Sequence, residues 1–201
     1  MSKNRYEKNK VIKNYRKLFI EHKEGAAVGQ WSLEGQLFRF EKLSQIAPLT
    51  DMRILEIGCG IGDFYPFLKK KYTNCYYTGI DIVPELIEFA SNKYPDATFL
   101  CLDLLEDDFV DKFDYVLISG VFNNNIKNSS ELLYNLISTA YKLAEKGIAF
   151  NFISKYAGFY DDGMAYHDPV DILKFCIEKL SPKTTVFHHY ERCDVTVFVY
   201  N

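Results

Sequence analysis

Between residues 54 and 64 the chain reads ILEIGCGIGDF, an apolar run holding the acid Glu56 and followed by Gly58, Gly60 and Gly62 at alternate positions. Each glycine removes a Cβ, so the backbone can turn tightly and approach a ligand with its N–H groups aimed at it. Two further acids stand at comparable places, Asp81 closing YYTGID and Asp103 closing FLCLD. Asp81 comes 23 residues after Gly58, the separation at which a carboxylate accepts both hydroxyls of a ribose. A carboxylate at Asp103 can accept from an exocyclic amine. Three acids ending three successive strands beside a glycine turn converge on one crevice, and an acidic ring suits a ligand with positive charge rather than a pyrophosphate. The spacing Gly-x-Gly-x-Gly also departs from the dinucleotide fingerprint Gly-x-Gly-x-x-Gly, because Asp63 occupies the place of its last glycine.

Strands alternating with helices from residue 52 onward must position these groups. MRILEI is a short continuous apolar run, as a strand covered on both faces requires. DFYPFLKKKY reads as a helix in which Pro66 either belongs to the first turn or introduces a kink, CYYTGID as a strand, and PELIEFASNKY as a helix opened by Pro84. ATFLCLD and FDYVLIS are strands. SSELLYNLISTAYKLAEK is a helix capped by Ser129 or Ser130, with Gly147 just beyond its end, and GIAFNFIS is the next strand. HDPVDILKFCIEKL opens a helix with Asp168 at the N-cap, Pro169 at N1 and Asp171 at N3. TTVFHHY and DVTVFVY alternate strictly around ERC, as an antiparallel hairpin does. The pattern predicts a doubly wound, Rossmann-like α/β domain with a mixed sheet over residues 51–201. Residues 1–50 read as a helical cap of the same domain. NRYEKNKVIKNYRKLFIEHK is amphipathic through Val11, Ile12, Tyr15, Leu18 and Phe19, GAAVGQW breaks it, and SLEGQLFRFEKLSQIA resumes the helical period behind Ser32.

A chain of 201 residues suits one domain, and 48% hydrophobic with 25% charged residues is the balance of a soluble globular protein. The net charge of −3 divides unevenly: residues 1–24 hold eight Lys/Arg and three Glu, or +5, which leaves −8 on the rest. A basic arm can touch phosphates. This one lacks the interleaved aromatics and glycines of a single-strand binder and precedes an acidic body, so its lysines read as a solvated helix face. Five scattered cysteines (59, 75, 101, 176 and 193) form no CxxC pair, which argues against a disulfide framework or a zinc site and for a reducing compartment. No metal is expected. The Lys-rich start has no apolar segment behind it and no run of ~18 apolar residues occurs, so a cytoplasmic protein with no membrane partner is expected.

In order, ILEIGCGIGDF, YYTGIDIVPELIEFA, FLCLDLL, FDYVLISGVFN and GIAFNFIS resemble the motifs of class I S-adenosylmethionine-dependent methyltransferases, over about residues 50–201. QWSLEGQLFRFEKL resembles the helix preceding the core in a bacterial group of small-molecule type. The resemblance implies a seven-stranded sheet of order 3-2-1-4-5-7-6 with helices on both faces, S-adenosylmethionine as cofactor and S-adenosylhomocysteine as product. By position, Gly58, Cys59 and Gly60 would lie against the methionine part, Glu56 would hold its ammonium, and Gly62 would permit close helix packing. Asp81 would take the ribose hydroxyls, with Ile82 flanking the adenine. Asp103 would accept from the adenine amine, and Leu104 would offer its backbone N–H to the ring. Ser119 and Gly120 would edge the site near the methionine. Arg39 would pair with the cofactor carboxylate and Trp31 would lid the pocket; a surface ion pair and a core anchor are the alternative for these two.

A sulfonium methyl is already electrophilic, so such an enzyme chiefly aligns a nucleophile and excludes water, and a general base helps when the acceptor is a hydroxyl or amine. The acceptor loops would be GVFNNNIKN and SKYAGFYDDGMAYHDP, the second gathering Tyr156, Tyr160, Asp161, Asp162, Tyr166 and His167. His167, beside Tyr166, is the candidate base because imidazole titrates near neutrality; the alternative is that it buttresses the helix start at Asp168. His188 and His189, adjacent on a strand, would point to opposite faces. SGVF stands where an exocyclic-amine methylase carries Asn-Pro-Pro-Tyr, and no module is appended, which favours a small-molecule acceptor. A nicotinamide-dependent oxidoreductase shares the fold, with Asp63 and Asp103 counting against it. A non-catalytic cofactor-binding protein, and a tRNA-type methyltransferase using the basic arm, stay open.

Overall fold

The short apolar runs lie side by side because each is covered from above and below. In the computed structural model, which describes residues 4–190 and 193–201, they form one mixed sheet in the order β3-β2-β1-β4-β5-β7-β6. The strands are β1 (Arg53–Ile57), β2 (Tyr76–Asp81), β3 (Thr98–Cys101), β4 (Phe113–Ile118), β5 (Ala144–Ile153), β6 (Thr184–Phe187) and β7 (Asp194–Tyr200). β1 to β5 are parallel, and β7 runs antiparallel to both β5 and β6. The expected order and the reversed seventh strand are therefore present. The parallel registers Ile57↔Ile80 and Ile57↔Ile118 bring the carboxyl ends of β1, β2 and β4 level, which is where a doubly wound sheet forms its crevice.

Helices cover both faces. α2 (Leu33–Leu43), α3 (Phe64–Lys71) and α4 (Pro84–Lys93) share one core with β1, in which Phe40 stacks on Phe64 at 4.2 Å between centroids. That ring stack joins the N-terminal segment to the helix after the glycine turn. α5 (Ser129–Leu143) and α6 (Pro169–Phe175) cover the other face through residues such as Leu133, Ile137 and Ile172. The starts follow local chemistry. The Ser32 side chain accepts from Gly35 N at 3.1 Å, and the Asp168 side chain accepts from Val170 N at 2.9 Å. α1 (Asn4–His22) packs Ile12, Tyr15 and Phe19 against Val83 and Leu86 at the start of α4.

Three local expectations need correction. Gly147 does not close α5: the helix ends at Leu143 and runs directly into β5, and Gly147 sits inside that strand. A Cβ there would stand 2.7 Å from the Val199 carbonyl oxygen, so the missing side chain lets β7 approach. Neither Ser129 nor Ser130 caps α5; Asn128, in the left-handed region at φ 62°, precedes it without a side-chain cap bond. β6 ends at Phe187, so His188 and His189 lie beyond the strand, and alternation does not set their directions. Lys3 and the Arg5 side chain of the basic arm, with Glu191 and Arg192 of the hairpin turn, lie outside the described residues.

One buried ion pair ties the cap to the sheet. Arg39 on α2 donates from Nε and Nη2 to the two carboxylate oxygens of Asp194 at the start of β7, at 2.8 and 3.1 Å. Both side chains are largely out of solvent. Removing one partner strands a buried charge, whereas removing both leaves apolar volume. Arg39→Met is therefore expected to lower unfolding free energy by about 3–5 kcal/mol, and Arg39→Met with Asp194→Leu to recover most of that loss. Urea denaturation of the three proteins measures it, and equal stability of the wild type and the single variant would refute the buried pair.

Candidate functional site

The glycine turn is built by division of labour among its three glycines. Gly58, Gly60 and Gly62 all have positive φ, at 73°, 55° and 79°. A Cβ on Gly58 would stand 2.3 Å from Val121 Cγ2, and one on Gly62 would stand 2.8 Å from the Phe99 ring. Those two positions are filled by protein. A Cβ on Gly60 would meet nothing within 4 Å, so this backbone alone faces open space.

The turn is held from below by Asp81. Its Oδ2 accepts from Gly60 N at 2.9 Å and its Oδ1 from Val83 N at 2.9 Å, so one carboxylate joins the loop after β1 to the loop after β2. A carboxylate has about four acceptor sites, so capacity remains for a ligand. Burial raises the Asp81 pKa, and the N–H donors of Gly60, Val83 and Ile82 oppose that shift.

Above the turn lies a cavity of about 370 Å³. Its walls include Glu56 to Gly60, Asp81 and Ile82, Asp103 and Leu104, and Ser119 and Gly120, together with Trp31 and Arg39. These are the proposed cofactor positions brought together, Gly62 excepted: it stands behind the wall against Phe99 and Ala90. Glu56 is almost wholly buried and accepts a hydrogen bond from the Tyr77 hydroxyl. Burial pushes its pKa up to about 8, helped by the charges of Asp81 and Asp63. The Cys59 thiol is also buried and pushed well up, which makes it a packing group and not a nucleophile.

Arg39 and Trp31 form a unit. The Arg39 guanidinium lies 3.6 Å over the Trp31 ring while Asp194 holds its Nε and Nη2. The edge of Trp31 comes so close to Gly120 that a Cβ there would be 3.2 Å from Nε1. Gly120 N in turn donates to the buried Asn151 Oδ1 at 2.7 Å. The surface-pair alternative for Arg39 is thus replaced by a buried pair, and its charge is already met by Asp194.

His167 and Tyr166 stand outside the cavity wall. His167 is buried, its Nε2 bonds the Phe122 carbonyl at 3.0 Å, and burial lowers its pKa. The Tyr166 hydroxyl accepts from Asp161 N at 2.7 Å. Of the two acceptor loops, only the first borders the cavity, through Val121 and Asn124. The second braces it: Ala165 N donates to Asn123 O at 2.9 Å and Asn125 N to Gly163 O at 3.1 Å. His167 belongs to that brace, because its placement serves the loop and not the cleft.

Several wall residues escaped sequence reasoning, and two of them have polar roles. Lys8 and Tyr15 come from α1. Lys8 is not on a solvated face; its Nζ meets Asp103 Oδ2 at 2.5 Å and Glu106 Oε2 at 2.9 Å. Tyr15 Oη accepts from Asn124 Nδ2 at 3.0 Å, and burial with the nearby Asp81 charge keeps it a neutral hydroxyl. The only signal for Tyr15 was its position on the apolar stripe. Lys8 carried none beyond the surplus of positive charge. Among the described residues no group of His, Cys, Asp or Glu is arranged to hold a metal ion, and no helix is long and apolar enough to cross a membrane.

Residues 54–145 match a family model described as a methyltransferase domain. A Mycobacterium tuberculosis protein named "Putative methyltransferase Rv1506c" is 27% identical over 155 residues, 73% of this chain and 91% of that protein. The malonyl-(acyl-carrier protein) O-methyltransferase of Acetivibrio thermocellus is 34% identical over 71 residues, 34% of this chain and 25% of that enzyme. Among solved structures, magnesium protoporphyrin IX methyltransferase from Synechocystis with bound SAM has a TM-score of 0.69 at 17% identity, covering 96% of this chain and 97% of that chain. That last likeness is one of fold.

The glycines and Glu56 are separately testable. Gly58→Ala forces Val121 aside and is expected to cost about 1–3 kcal/mol of stability. Gly60→Ala has room and is expected to cost about 1 kcal/mol for its φ alone, while its methyl intrudes on the ligand space. Thermal or urea unfolding should therefore rank the Gly58 variant as the less stable. For Glu56, an ordinary glutamate ionises near 4.5 and the folded protein holds this proton up to about 8. Between those values the folded state binds the extra proton, so the contribution to stability falls by about 1.4 kcal/mol per pH unit as pH rises, and levels off above pH 8. Glu56→Gln removes that slope, so its stability relative to the wild type should improve from pH 5 to pH 8.5. A constant difference across that range would contradict the buried, protonated acid.

Proposed function

The chain belongs to the class I S-adenosylmethionine-dependent methyltransferases, and from that premise we propose that it moves the methyl group to an oxygen or nitrogen of a small-molecule acceptor. The observation that carries the acceptor class is the cavity itself: residues of the chain's own α1 and Trp31 help to wall it, a recess suited to a small acceptor and not to a macromolecular surface. A relative named trans-aconitate 2-methyltransferase, from Afipia carboxidovorans and 32% identical over 82 residues, supports a small acceptor. Lys8 and Arg16, which would be free for phosphates in a tRNA-type enzyme, are engaged by Asp103, Glu106 and Glu85 of the body.

The residues present fit the cofactor. Gly60 leaves a cradle that a Cβ would fill, and the acids Glu56, Asp81 and Asp103 suit a ligand with an ammonium, two ribose hydroxyls and an amine. When bound, S-adenosylmethionine supplies a methyl group activated by a sulfonium sulfur. Asp81 would accept from the ribose hydroxyls with the lone pairs left over from Gly60 and Val83. Ile82 and Leu104 would bound the adenine, and Asp103 would accept from its amine. Glu56 would give up its proton to face the ammonium, keeping the Tyr77 hydroxyl as donor. Gly58, Cys59, Ser119 and Gly120 would edge the methionine part. Trp31, pinned by Arg39, would exclude water from the reacting end. Arg39 would act through Trp31, since Asp194 already holds it.

Catalysis on this reading is alignment and desolvation, with no base assigned to His167. The helical cap at 1–50 would form one domain with the body, in keeping with the Phe40–Phe64 stack. The thiols of Cys59, Cys75, Cys101 and Cys176, none in a disulfide, are in keeping with action in the cytoplasm.

Calorimetric titration with S-adenosylmethionine, S-adenosylhomocysteine and NAD tests the cofactor site. Both sulfur compounds are expected to bind, NAD is not, and Asp81→Ala is expected to weaken binding by roughly 10- to 100-fold, as loss of charged hydrogen bonds does. Binding of NAD alone would overturn the reading. Incubating the enzyme and methyl-labelled cofactor with separated bacterial metabolite, tRNA and protein fractions tests the acceptor: label is expected among the metabolites, and label confined to tRNA or protein would refute a small acceptor.

A further inference from the structure

Two side chains bring hydrogen-bond donors to the cavity without an acceptor of their own. The Tyr15 hydroxyl receives Asn124 Nδ2 at 3.0 Å, and the Gln30 side chain also donates to it. Its oxygen is thus supplied, while its own hydrogen has no acceptor among the described residues. The Trp31 Nε1–H lies against Gly120 and likewise has none among them. Both residues wall the cavity, and both border the segment from Gly120 to Asn124. The backbone donor of that segment, Gly120 N, is already spent on Asn151.

The acids of the wall are occupied. Asp81 holds Gly60 and Val83, Asp103 and Glu106 hold Lys8, and Asp63 meets Lys93. Burial pushes Glu56 up to about 8, and it faces the cofactor's ammonium in the reading above. Glu7 accepts from Lys127 N at 3.4 Å, and it stands eight residues, about 12 Å, back along α1 from Tyr15. Glu131 follows in the first turn of α5. Beside Tyr15 and Trp31 the wall therefore offers hydrogen bonds and no spare carboxylate to take a proton.

Unpaired donors discriminate between acceptor atoms. An amine has one lone pair, which must point at the methyl group and leaves nothing for Tyr15 or Trp31. An oxygen has one lone pair to attack with and others to receive the two donors. A hydroxyl must also lose a proton, whereas a carboxylic acid is already ionised near neutral pH.

We propose that Tyr15 and Trp31 bind the acceptor through their free donors, and that the acceptor atom is a carboxylate oxygen, so that the product is a methyl ester. This rests on the cofactor reading above. A carboxylate lone pair forms the new C–O bond as the C–S bond breaks. The C–S electron pair stays on sulfur as the neutral thioether of S-adenosylhomocysteine, and no proton is released. Burial and the Asp81 charge keep the Tyr15 phenol neutral, so it remains a donor throughout.

Trp31 is the sole tryptophan and lines the cavity, so its fluorescence reports binding there. The protein saturated with S-adenosylhomocysteine is titrated with short aliphatic and aromatic carboxylates, and with the matching alcohols and amines. A saturable change is expected with carboxylates alone. Tyr15→Phe is expected to weaken the tightest of them by roughly 10- to 100-fold, as loss of a hydrogen bond to a charged group does. The affinity of that variant for S-adenosylhomocysteine, measured by calorimetry, should equal that of the wild type. Transfer is read separately in a bacterial metabolite fraction methylated from labelled cofactor. Alkali is expected to release that label as volatile methanol, which an ester yields and an ether or N-methyl group does not. Three results would each overturn the proposal and leave the cofactor reading standing: no response to any carboxylate, alkali-stable label, or a loss in Tyr15→Phe confined to S-adenosylhomocysteine. If the wild type binds no S-adenosylhomocysteine, both fall.

Discussion

The cleft depends on one carboxylate that is shared between two loops. Asp81 receives the N–H of Gly60 from the turn after β1 and the N–H of Val83 from the turn after β2. Either donor, buried without a partner, would cost more than the hydrogen bond is worth in water, so the two turns are bound to adopt one mutual geometry. That geometry gives Gly60 its left-handed φ and presents its bare backbone to the cavity. Asp81 is thereby the structural keystone of the loop.

A second constraint acts at the opposite wall. Asp194 opens β7, the one strand that runs against its neighbours, and it fixes Arg39 of α2 in a bidentate pair. Arg39 then supports the Trp31 ring, whose edge touches Gly120 at the end of β4. The sheet's reversed strand thus reaches the cavity wall through a chain of three side chains. The loop after β5 works in the same indirect way. His167 and Ala165 brace the Phe122–Asn124 segment from behind, which leaves Asn124 and Val121 at the wall.

The uneven charge of the chain acquires a physical meaning in this arrangement. The basic helix answers the acidic body of the same molecule, with Lys8 on Asp103 and Glu106 and Arg16 on Glu85. Attraction of this kind is long-ranged and screened, so it guides α1 to its seat while the apolar stripe of Ile12, Tyr15 and Phe19 fixes it there. Two of the eight cations in residues 1–24 are thus engaged within the molecule itself.

The sequence by itself determined what local physics determines. Burial on both faces makes MRILEI a strand, Ser32 and Asp168 start helices through their own side chains, and strict alternation pairs the last two strands. The glycine spacing and the acids at strand ends were likewise legible, because each depends on backbone conformation within a few residues. What lay beyond it were contacts between residues distant along the chain. That Gly147 admits β7 and does not end a helix, that Arg39 faces Asp194 155 positions away, and that Lys8 sits on Asp103 are set by how the elements stack. A side chain's type states what it can bond, and only the assembled fold decides which partner comes within 3 Å of it. His167 marks the boundary: its chemistry suited a base, and its packing against Phe152 and the Phe122 carbonyl made it a brace.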